Sequence, residues 1–541
     1  MSQIETRMSR MKSSLTNRIA RAGCKVFGLG LSIMLLSCLT AHAADIAGTW
    51  VLIPDGSVLH EHGPDSLLER IELKREHRVL TGVSIGASGI LPLKNLQIRN
   101  GVVTYSEDAG GHLLTARGMM KGNELGIELR FENGRAWTFT YRRPSHQDLE
   151  RIKAEPTYTF ARLPLPALHH VATNGLARTP PMGVGNWIEG NDAAARKVAD
   201  LMVSNGLRDA GYVYLQIDEG WEGRRDAQGN LHPNKNFPDM KALADYVHSK
   251  GLKLGIYSSP GPTACVGYAG SHGHEEQDAK TFAGWGVDLL KYDWCTADVL
   301  YHTQAEMQAV YQKMGDALEA TGRPIVYSLC QYGEYDVGSW GPDVGANLWR
   351  TSTDGVDSWK SMTNNGFEKN GKPSDAGPGH WNDPDNLQIG KGHMTTQEYR
   401  TEMTLWSMMA APLFIDIHGP DMAFNDMAKW SPEVLQILLN AEVIAIDQDK
   451  LGIQGQRISK QGEIEIWSKR LEGGAIAVAV FNRGASEEKT MLNWNDLGLK
   501  NVRSVRDVWR KTDLHDPVRN PEMTLPAHAS VLLRVAVQQY D

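Results

Sequence analysis

Zinc-binding patterns are absent from this sequence, which is also poor in cysteine. Its 541 residues include five cysteines, and neither a CxxC pair nor an HExxH segment occurs. Zinc sites depend on closely spaced cysteine and histidine ligands or on two histidines one helical turn apart. We therefore expect no metal site in this protein.

Long basic runs are missing from the mature region as well. The net charge is −8, and residues of both signs are mixed along the chain. Proteins that bind nucleic acid cluster lysine and arginine against phosphates, so this balance argues against a nucleic-acid partner. The aromatic residues favour rings with a polar group, with 15 Trp and 16 Tyr against 10 Phe. That composition suits polar ligands such as carbohydrates.

Residues 1–43 have the pattern of an export signal. Basic residues precede an apolar stretch from 26 to 40, and Ala41-His42-Ala43 supplies a cleavage site. The apolar stretch is too short to span a bilayer comfortably. We therefore expect an exported protein, periplasmic or secreted. The segment that ends at Cys38 also resembles a lipoprotein box, so a lipid anchor is the alternative, and membrane contact would depend on it.

Three cysteines remain after cleavage of such a signal: Cys265, Cys295 and Cys330. An oxidising compartment permits a disulfide. Cys265 and Cys295 each lie just past a strand-like run, so we pair them and leave Cys330 free. Sequence alone does not fix that connectivity.

Two regions of short alternating apolar and polar runs flank the middle of the chain. Residues 44–150 and residues 450–541 both show this period of two, interrupted by turn residues, which predicts antiparallel β structure. The first region should form a sandwich or a barrel, and the second a β-sandwich. A linker, residues 151–173, follows the first region and is rich in proline.

The central region, residues 174–449, alternates strand-like runs with amphipathic helical stretches. This rhythm predicts an α/β fold, a (β/α)8 TIM barrel. In that fold the carboxyl ends of the strands carry the active site. The eight predicted strands are 182–186, 212–217, 252–257, 289–293, 325–329, 347–350, 380–382 and 413–417.

Polar residues follow nearly every predicted strand, and the fourth strand has the clearest set. Alternate side chains of a strand share a face, so Lys291, Asp293 and Cys295 should point the same way. A neighbouring ammonium lowers a carboxyl pKa, which would keep Asp293 ionised as a candidate nucleophile. An ion pair that closes the strand end explains this segment equally well. Several carboxylates on one rim nevertheless favour hydrolysis of a glycosidic bond, which uses two of them.

Several motifs in fixed order resemble the α-galactosidase family of retaining glycoside hydrolases, family 27. They lie between residue 174 and the C-terminal region, and the N-terminal β region is outside the resemblance. The motifs are Leu176–Gly183, Tyr214–Asp218, Leu252–Tyr257, Lys291–Cys295, Trp381–Asp385, Ala410–Leu413 and Ile446–Asp449. The resemblance implies an exo-glycosidase that removes terminal α-D-galactosyl residues through a covalent glycosyl–aspartate intermediate. Such enzymes need no metal or organic cofactor.

The resemblance also implies roles for individual residues. Asp293 matches the nucleophile, and Asp354 matches the acid/base. The Cys265–Cys295 pair matches a disulfide that brackets the nucleophile loop. From the local pattern alone, Asp354 or Asp357 could equally cap the helix near Trp359. The residues that match sugar-binding positions are Trp187, Asp218, Glu219, Tyr257, Lys291, Gln331, Arg350 and Asp385.

Three positions depart from the family pattern. Glu219 stands where a second aspartate is usual, Gln331-Tyr332 where Glu-Trp is usual, and Asn386 where an apolar residue is usual. Glutamate is one methylene longer, so its carboxylate could crowd the hydroxymethyl group of galactose. β-L-Arabinopyranose lacks that group, which makes β-L-arabinopyranosidase the alternative activity. The expected partner is a galactose- or arabinopyranose-containing glycan. A non-catalytic sugar-binding protein is disfavoured because both carboxylates are present.

Overall fold

The computed structural model describes most of the chain after the predicted export signal. The described residues are 46–53, 67–77, 79–86, 89–109, 112–130, 136–155, 158, 161–185, 190–417 and 427–538. The predicted signal, Cys38 and Trp187 lie outside them. The described residues form two compact units that separate near residue 154. No helix in these ranges is long and apolar enough to cross a membrane.

The first unit is a nine-stranded antiparallel sheet followed by a short helix. Its elements are β1 (Gly48–Leu52), β2 (Arg70–Glu76), β3 (Val79–Gly86), β4 (Gly89–Pro92), β5 (Lys94–Arg99), β6 (Val102–Ala109), β7 (His112–Lys121), β8 (Glu124–Arg130), β9 (Ala136–Arg142) and α1 (His146–Lys153). The strand order is β4-β3-β2-β1-β9-β8-β7-β6-β5. The two edge strands, β4 and β5, are joined by Leu93 alone, so the sheet must curl back on itself. The Leu93 N–H accordingly donates to the Gly82 carbonyl of β3.

The second unit contains a barrel of eight parallel strands. The strands of this region are β10 (Met182–Gly185), β11 (Tyr214–Gln216), β12 (Glu222–Arg225), β13 (Leu231–Pro233), β14 (Lys253–Ser258), β15 (Leu289–Asp293), β16 (Val326–Cys330), β17 (Leu348–Arg350), β18 (Trp381–Asp383) and β19 (Leu413–Asp416). β12 and β13 form a separate hairpin, and the other eight pair in the order β18-β17-β16-β15-β14-β11-β10-β19. A parallel bridge between Leu387 and Ile415 closes the ring. The predicted (β/α)8 barrel is confirmed.

Helices lie between the barrel strands and after the last one. Their bounds are α2 (Asp192–Ser204), α3 (Met240–Ser249), α4 (Glu275–Trp285), α5 (Gln304–Ala320), α6 (Trp359–Thr363), α7 (Thr396–Met409), α8 (Pro432–Leu438) and α9 (Ala441–Asp447). Capping boxes begin α5 and α7, where a threonine and a glutamate three residues later satisfy the first N–H groups.

The barrel interior has an apolar floor and a polar mouth. The period of two along each strand puts alternate residues in the lumen. Near the amino ends of six strands, these residues form one buried cluster: Tyr214, Leu289, Val326, Leu348, Trp381 and Phe414. Further along β15 the same face carries Lys291 and then Asp293, as the sequence pattern predicted. The polar residues therefore gather at the carboxyl ends of the strands, where a barrel of this kind carries out its chemistry.

The C-terminal strands form the predicted β-sandwich. They are β20 (Gln456–Gln461), β21 (Ile464–Arg470), β22 (Ile476–Asn482), β23 (Glu488–Met491), β24 (Val502–Asp507), β25 (Thr512–Asp513), β26 (Glu522–Leu525) and β27 (Ser530–Val537). One sheet has the order β20-β21-β22-β27-β24-β25, and β23 pairs with β26 in the other. Val480, Leu525 and Leu533 are buried together in the core of the sandwich.

A buried lysine joins the sandwich to the barrel. The Lys469 ammonium of β21 donates to the carbonyls of Ser407 (2.9 Å) and Ile446 (2.7 Å), at the ends of α7 and α9. Burial lowers the pKa of Lys469 and raises that of the neighbouring Asp447, and the attraction between the two opposes both shifts. This contact fixes β21 against two barrel helices.

A second junction contact involves a ring of the sandwich. His528 stacks on Trp359 of α6 with ring centroids 4.1 Å apart. Its Nδ1 lies 2.6 Å from Glu398 Oε1 at the start of α7. The sandwich therefore holds the segment that follows the sixth barrel strand.

An ion pair in the barrel closure gives a test of this architecture. Lys391 Nζ lies 2.5 Å from Asp416 Oδ2, and the two side chains are 4% and 3% exposed. Replacing Lys391 by Met should lower the free energy of unfolding by about 3–5 kcal/mol, because Asp416 would lose its cation in a buried site. Lys241→Met, at an exposed pair with Asp245 on α3, should change it little. Urea unfolding followed by tryptophan fluorescence measures both, and equal losses would contradict the effect of burial.

Candidate active site

The Asp293 carboxylate lies at the end of β15 and is 5% exposed. Its Oδ1 accepts a hydrogen bond from the Tyr332 hydroxyl at 2.5 Å. Burial raises the pKa of Asp293 to about 6; Lys291 and the Tyr332 hydrogen bond oppose this rise. The negative charges of Asp354 and Asp218 add to it. Burial thus outweighs the neighbouring ammonium, contrary to the expectation from sequence, and Asp293 is ionised only above about pH 6.

A buried ion pair lies beside this carboxylate. Lys291 Nζ donates to Asp218 Oδ2 at 2.8 Å, and the ammonium lies 5.4 Å from the ring centroid of Tyr257. Lys291 lies on β15, Tyr257 on β14 and Asp218 just after β11, and these three strands are neighbours in the barrel. Burial lowers the pKa of Lys291, but the surrounding anions, led by Asp218, raise it well above its ordinary value. Lys291 is therefore charged.

Glu219 is held by the loop that carries the disulfide. Its Oε2 accepts a hydrogen bond from the Val266 N–H at 3.1 Å. The preceding residue, Cys265, is bonded to Cys295, with Cα atoms 5.0 Å apart. The predicted disulfide is thus present, and Cys330 is free and buried. A backbone hydrogen bond therefore fixes one carboxylate oxygen of Glu219.

Metal-type donors come together at Cys265, Asp293 and Cys295 among the described residues. Both sulfur atoms of this group belong to the disulfide. A metal-binding cysteine must be a thiolate, so this group does not provide a cysteine-ligated site.

A second buried cation, Arg350, organises the other side of the mouth. It ends β17 and is 3% exposed. Its Nη1 lies 3.3 Å from Asp354 Oδ1 and 3.1 Å from Asp385 Oδ1. Asp385 Oδ2 also accepts the Gly355 N–H at 2.5 Å, which ties the loops after β17 and β18 together. Burial raises the pKa of Asp385 to about 6, and Arg350 opposes that rise. The Asp354 side chain is 41% exposed, so this carboxylate is open to solvent.

Asp357 has a different environment from Asp354. Its carboxylate accepts hydrogen bonds from the N–H groups of residues 393 and 394 (2.7 and 3.2 Å) and from the Tyr399 hydroxyl (2.8 Å). Ser358, and neither aspartate, caps helix α6. Asp357 therefore holds the loop before α7, while Asp354 contacts the buried guanidinium in the barrel mouth.

The loop after β16 adds Gln331 and Tyr332. Gln331 is fully buried, its Oε1 accepts the Gly333 N–H at 2.5 Å, and its Nε2 has no hydrogen-bond partner within the described part of the chain. Tyr332 has φ 66° and Gly333 φ 81°, both in the left-handed region. A Cβ at Gly333 would lie 2.3 Å from the Thr351 carbonyl oxygen. This sharp turn directs the Tyr332 hydroxyl to Asp293. From the sequence, Tyr332 could be recognised as a departure from the family's usual residue after the fifth strand, but its contact with Asp293 could not be predicted.

Glu222 is a buried acid that sequence reasoning did not single out. Its Oε2 accepts the Gly220 N–H at 2.8 Å. Burial, followed by the charges of Glu219 and Asp218, raises the pKa of Glu222 well above its ordinary value. Its carboxyl group therefore holds a proton more readily than an exposed glutamate does. The sequence feature that could have revealed it is its position as the third acidic residue in the segment from Asp218 to Glu222.

Sequence comparisons place the second unit in one family. Residues 190–449 match the sequence model described as Alpha galactosidase A, and residues 461–535 match that of the Alpha galactosidase C-terminal beta sandwich domain. The α-galactosidase of Coffea arabica is 46% identical over 368 residues, which cover 66% of this chain and 92% of that protein.

Solved structures give the same result. α-Galactosidase I from Mortierella vinacea matches with a TM-score of 0.63 and 33% identity, over 68% of this chain and 99% of that one. A family 27 β-L-arabinopyranosidase from Geobacillus stearothermophilus matches with a TM-score of 0.59 and 25% identity, over 67% and 97% of the two chains. The chain thus belongs to the α-galactosidase family of glycoside hydrolases, family 27.

Proposed function

We propose that this protein removes terminal α-D-galactosyl residues from oligo- or polysaccharides with retention of configuration. The observation that carries the proposal is the presence of two carboxylates in one barrel mouth. Asp293 faces the lumen and has a pKa of about 6. Asp354 contacts Arg350, and its negative charge is close enough to raise the pKa of Asp293. Retaining glycosidases use two such groups, roughly 5–5.5 Å apart.

The two carboxylates would divide the reaction between them. An oxygen of Asp293 bonds to the anomeric carbon, the glycosidic C–O bond breaks, and Asp354 gives its proton to the leaving oxygen. Asp354 then takes a proton from water, whose oxygen bonds to the anomeric carbon and releases Asp293. The proton and both electron pairs return to their starting positions, so the cycle needs no cofactor.

The remaining polar groups of the mouth would bind the sugar. Asp218 and Glu219 would accept hydrogen bonds from the 4- and 6-hydroxyl groups, and Lys291 would donate to the ring hydroxyls. The Gln331 Nε2 group, buried and without a partner within the described ranges, would donate to the 2-hydroxyl. Tyr257, Arg350 and Asp385 would line the pocket, and Trp187 would stack on the apolar face of the sugar.

Galactose is favoured over arabinopyranose as the substrate. The Val266 N–H holds one oxygen of Glu219, so part of the extra length of this side chain is taken up by the protein. The Coffea arabica relative, an α-galactosidase, is also much more similar in sequence than the Geobacillus arabinopyranosidase. We propose galactose-terminated glycans as the partners.

The site of action would be outside the cytoplasm. Residues 1–43 have the composition of an export signal, and the Cys265–Cys295 disulfide is favoured in an oxidising compartment. We propose a periplasmic or secreted enzyme, with lipidation of Cys38 as the alternative.

The nucleophile can be tested by removing its charge. Asp293→Asn should lower kcat/KM on an aryl α-D-galactoside by a factor on the order of 10⁴ or more, because an amide does not displace the leaving group. Asp245→Asn makes the same change on the exposed face of α3 and should leave activity intact. Circular dichroism would establish that both variants are folded, and an active Asp293→Asn protein would refute this role.

The substrate can be tested at Glu219 with two matched aryl glycosides, an α-D-galactopyranoside and a β-L-arabinopyranoside. The wild type should have the higher kcat/KM on the galactoside. Glu219→Asp should raise the galactoside to arabinoside ratio about tenfold, because the shorter side chain leaves room for one methylene-sized group. Glu219→Gln keeps the length and should leave the ratio near the wild-type value. A ratio that is the same in all three proteins would exclude the steric explanation.

A further inference from the structure

The hydrogen bond between Tyr332 and Asp293 leads to a role beyond the assigned site. We propose that Tyr332 is a positioning residue whose hydroxyl holds Oδ1 of the nucleophile, so that Oδ2 is the oxygen that bonds to the sugar. The phenol keeps its proton through the whole cycle. This inference rests on the proposed function, in which Asp293 forms the glycosyl ester.

The geometry of the loop is built for this contact. The hydroxyl lies 2.5 Å from Oδ1, a distance typical of a hydrogen bond to a charged oxygen. Tyr332 adopts φ 66°, which a bulky residue rarely does, and the next residue must be glycine because the Thr351 carbonyl is so close. Arg350 lies 5.6 Å from the ring centroid of Tyr332. Backbone strain of this kind is concentrated at functional sites, and here the strained turn places the Tyr332 hydroxyl against Asp293.

The groups around Asp293 differ from the Tyr332 hydroxyl in what they can contribute to this carboxylate. Lys291 is the nearby cation, but its ammonium is hydrogen-bonded to Asp218. The titratable groups that interact with Asp293 include Lys291 on the same strand and Tyr311 on α5. The others lie on four further strands or the loops after them: Asp218, Tyr257, Cys330, Tyr332 and Asp354. Burial, followed by the charge of Asp293, raises the pKa of Tyr332 well above its ordinary value. The phenol therefore remains a donor at every pH at which the enzyme would work.

The hydrogen bond changes strength as the charge on Asp293 changes. A hydrogen bond to a carboxylate is about twice as strong as one to a neutral oxygen. In the ester intermediate Oδ1 is a neutral carbonyl oxygen, and negative charge returns to it as the ester bond breaks. Tyr332 would therefore favour the ionised nucleophile in the free enzyme and the departure of Asp293 in the second step.

Tyr332→Phe removes the donor and keeps the ring. The acid limb of kcat/KM on an aryl α-D-galactoside should lie near pH 6 in the wild type. Because the lost hydrogen bond stabilises the ionised form, the pKa of Asp293 should rise and the limb should move up by about one pH unit. Turnover of the glycosyl–enzyme formed from a 5-fluoro-galactosyl fluoride should be about tenfold slower. The matched control is Tyr335→Phe in the same loop, whose hydroxyl bonds the His302 carbonyl.

The outcomes separate this inference from the proposed function. An acid limb that stays in place in Tyr332→Phe, or a loss of activity equal at every pH, would overturn the role of Tyr332. Tyr332→Leu, which also removes the donor, should move the limb in the same direction and serves as the second variant if the first is unstable. Mass spectrometry of the trapped protein should find the sugar on Asp293. A label on another residue would overturn the proposed function instead.

Discussion

Carboxyl groups outnumber cations in the barrel mouth, and the properties of the site follow from this imbalance. Within the described ranges, the cations Lys291 and Arg350 face seven acids: Asp218, Glu219, Glu222, Asp293, Asp354, Asp383 and Asp385. Two positive charges do not compensate seven negative ones in a medium of low polarity. Burial accordingly raises the pKa values of Glu222, Asp293, Asp383 and Asp385. These carboxyl groups therefore bind protons at a higher pH than exposed ones do, which suits acid–base chemistry on an uncharged sugar.

Each cation organises one half of this acidic cluster. Lys291 is held by Asp218 and stands on the apolar floor of the barrel, where its charge is little screened. Arg350 bonds Asp354 and Asp385 and so joins the loops after the sixth and seventh strands. The two carboxylates assigned to the reaction lie in different halves. Asp293 ends strand β15, whereas Asp354 lies in the loop after β17 and is held there by its contact with Arg350.

Much of this arrangement could be predicted from the sequence, because buried parallel strands leave continuous apolar runs and strand tips leave polar ones. The shared direction of Lys291 and Asp293 followed from the period of two. The need for glycine at position 118 of β7 could not be predicted in this way, because it arises from Val103 on β6, which would lie 2.6 Å from a Cβ there. Such a requirement depends on a partner strand and is invisible locally.

The parts of the site that the sequence did not reveal all depend on distant contacts or on backbone direction. The local pattern left Asp354 and Asp357 equivalent, and the bonds that distinguish Asp357 come from residues 393 to 399. The contact of Tyr332 with Asp293 depends on a left-handed φ that no residue type announces. Glu222 lies in a segment without periodicity, and its raised pKa follows from its burial beside Glu219.

The junction between sandwich and barrel limits how this enzyme can be divided or recombined. A protein that ended near residue 450 would lose the ammonium that caps the carbonyls of Ser407 and Ile446. It would also lose the imidazole that covers Trp359, five residues after Asp354. A domain that replaced the sandwich would therefore have to supply equivalent groups for these two carbonyls and for the Trp359 ring.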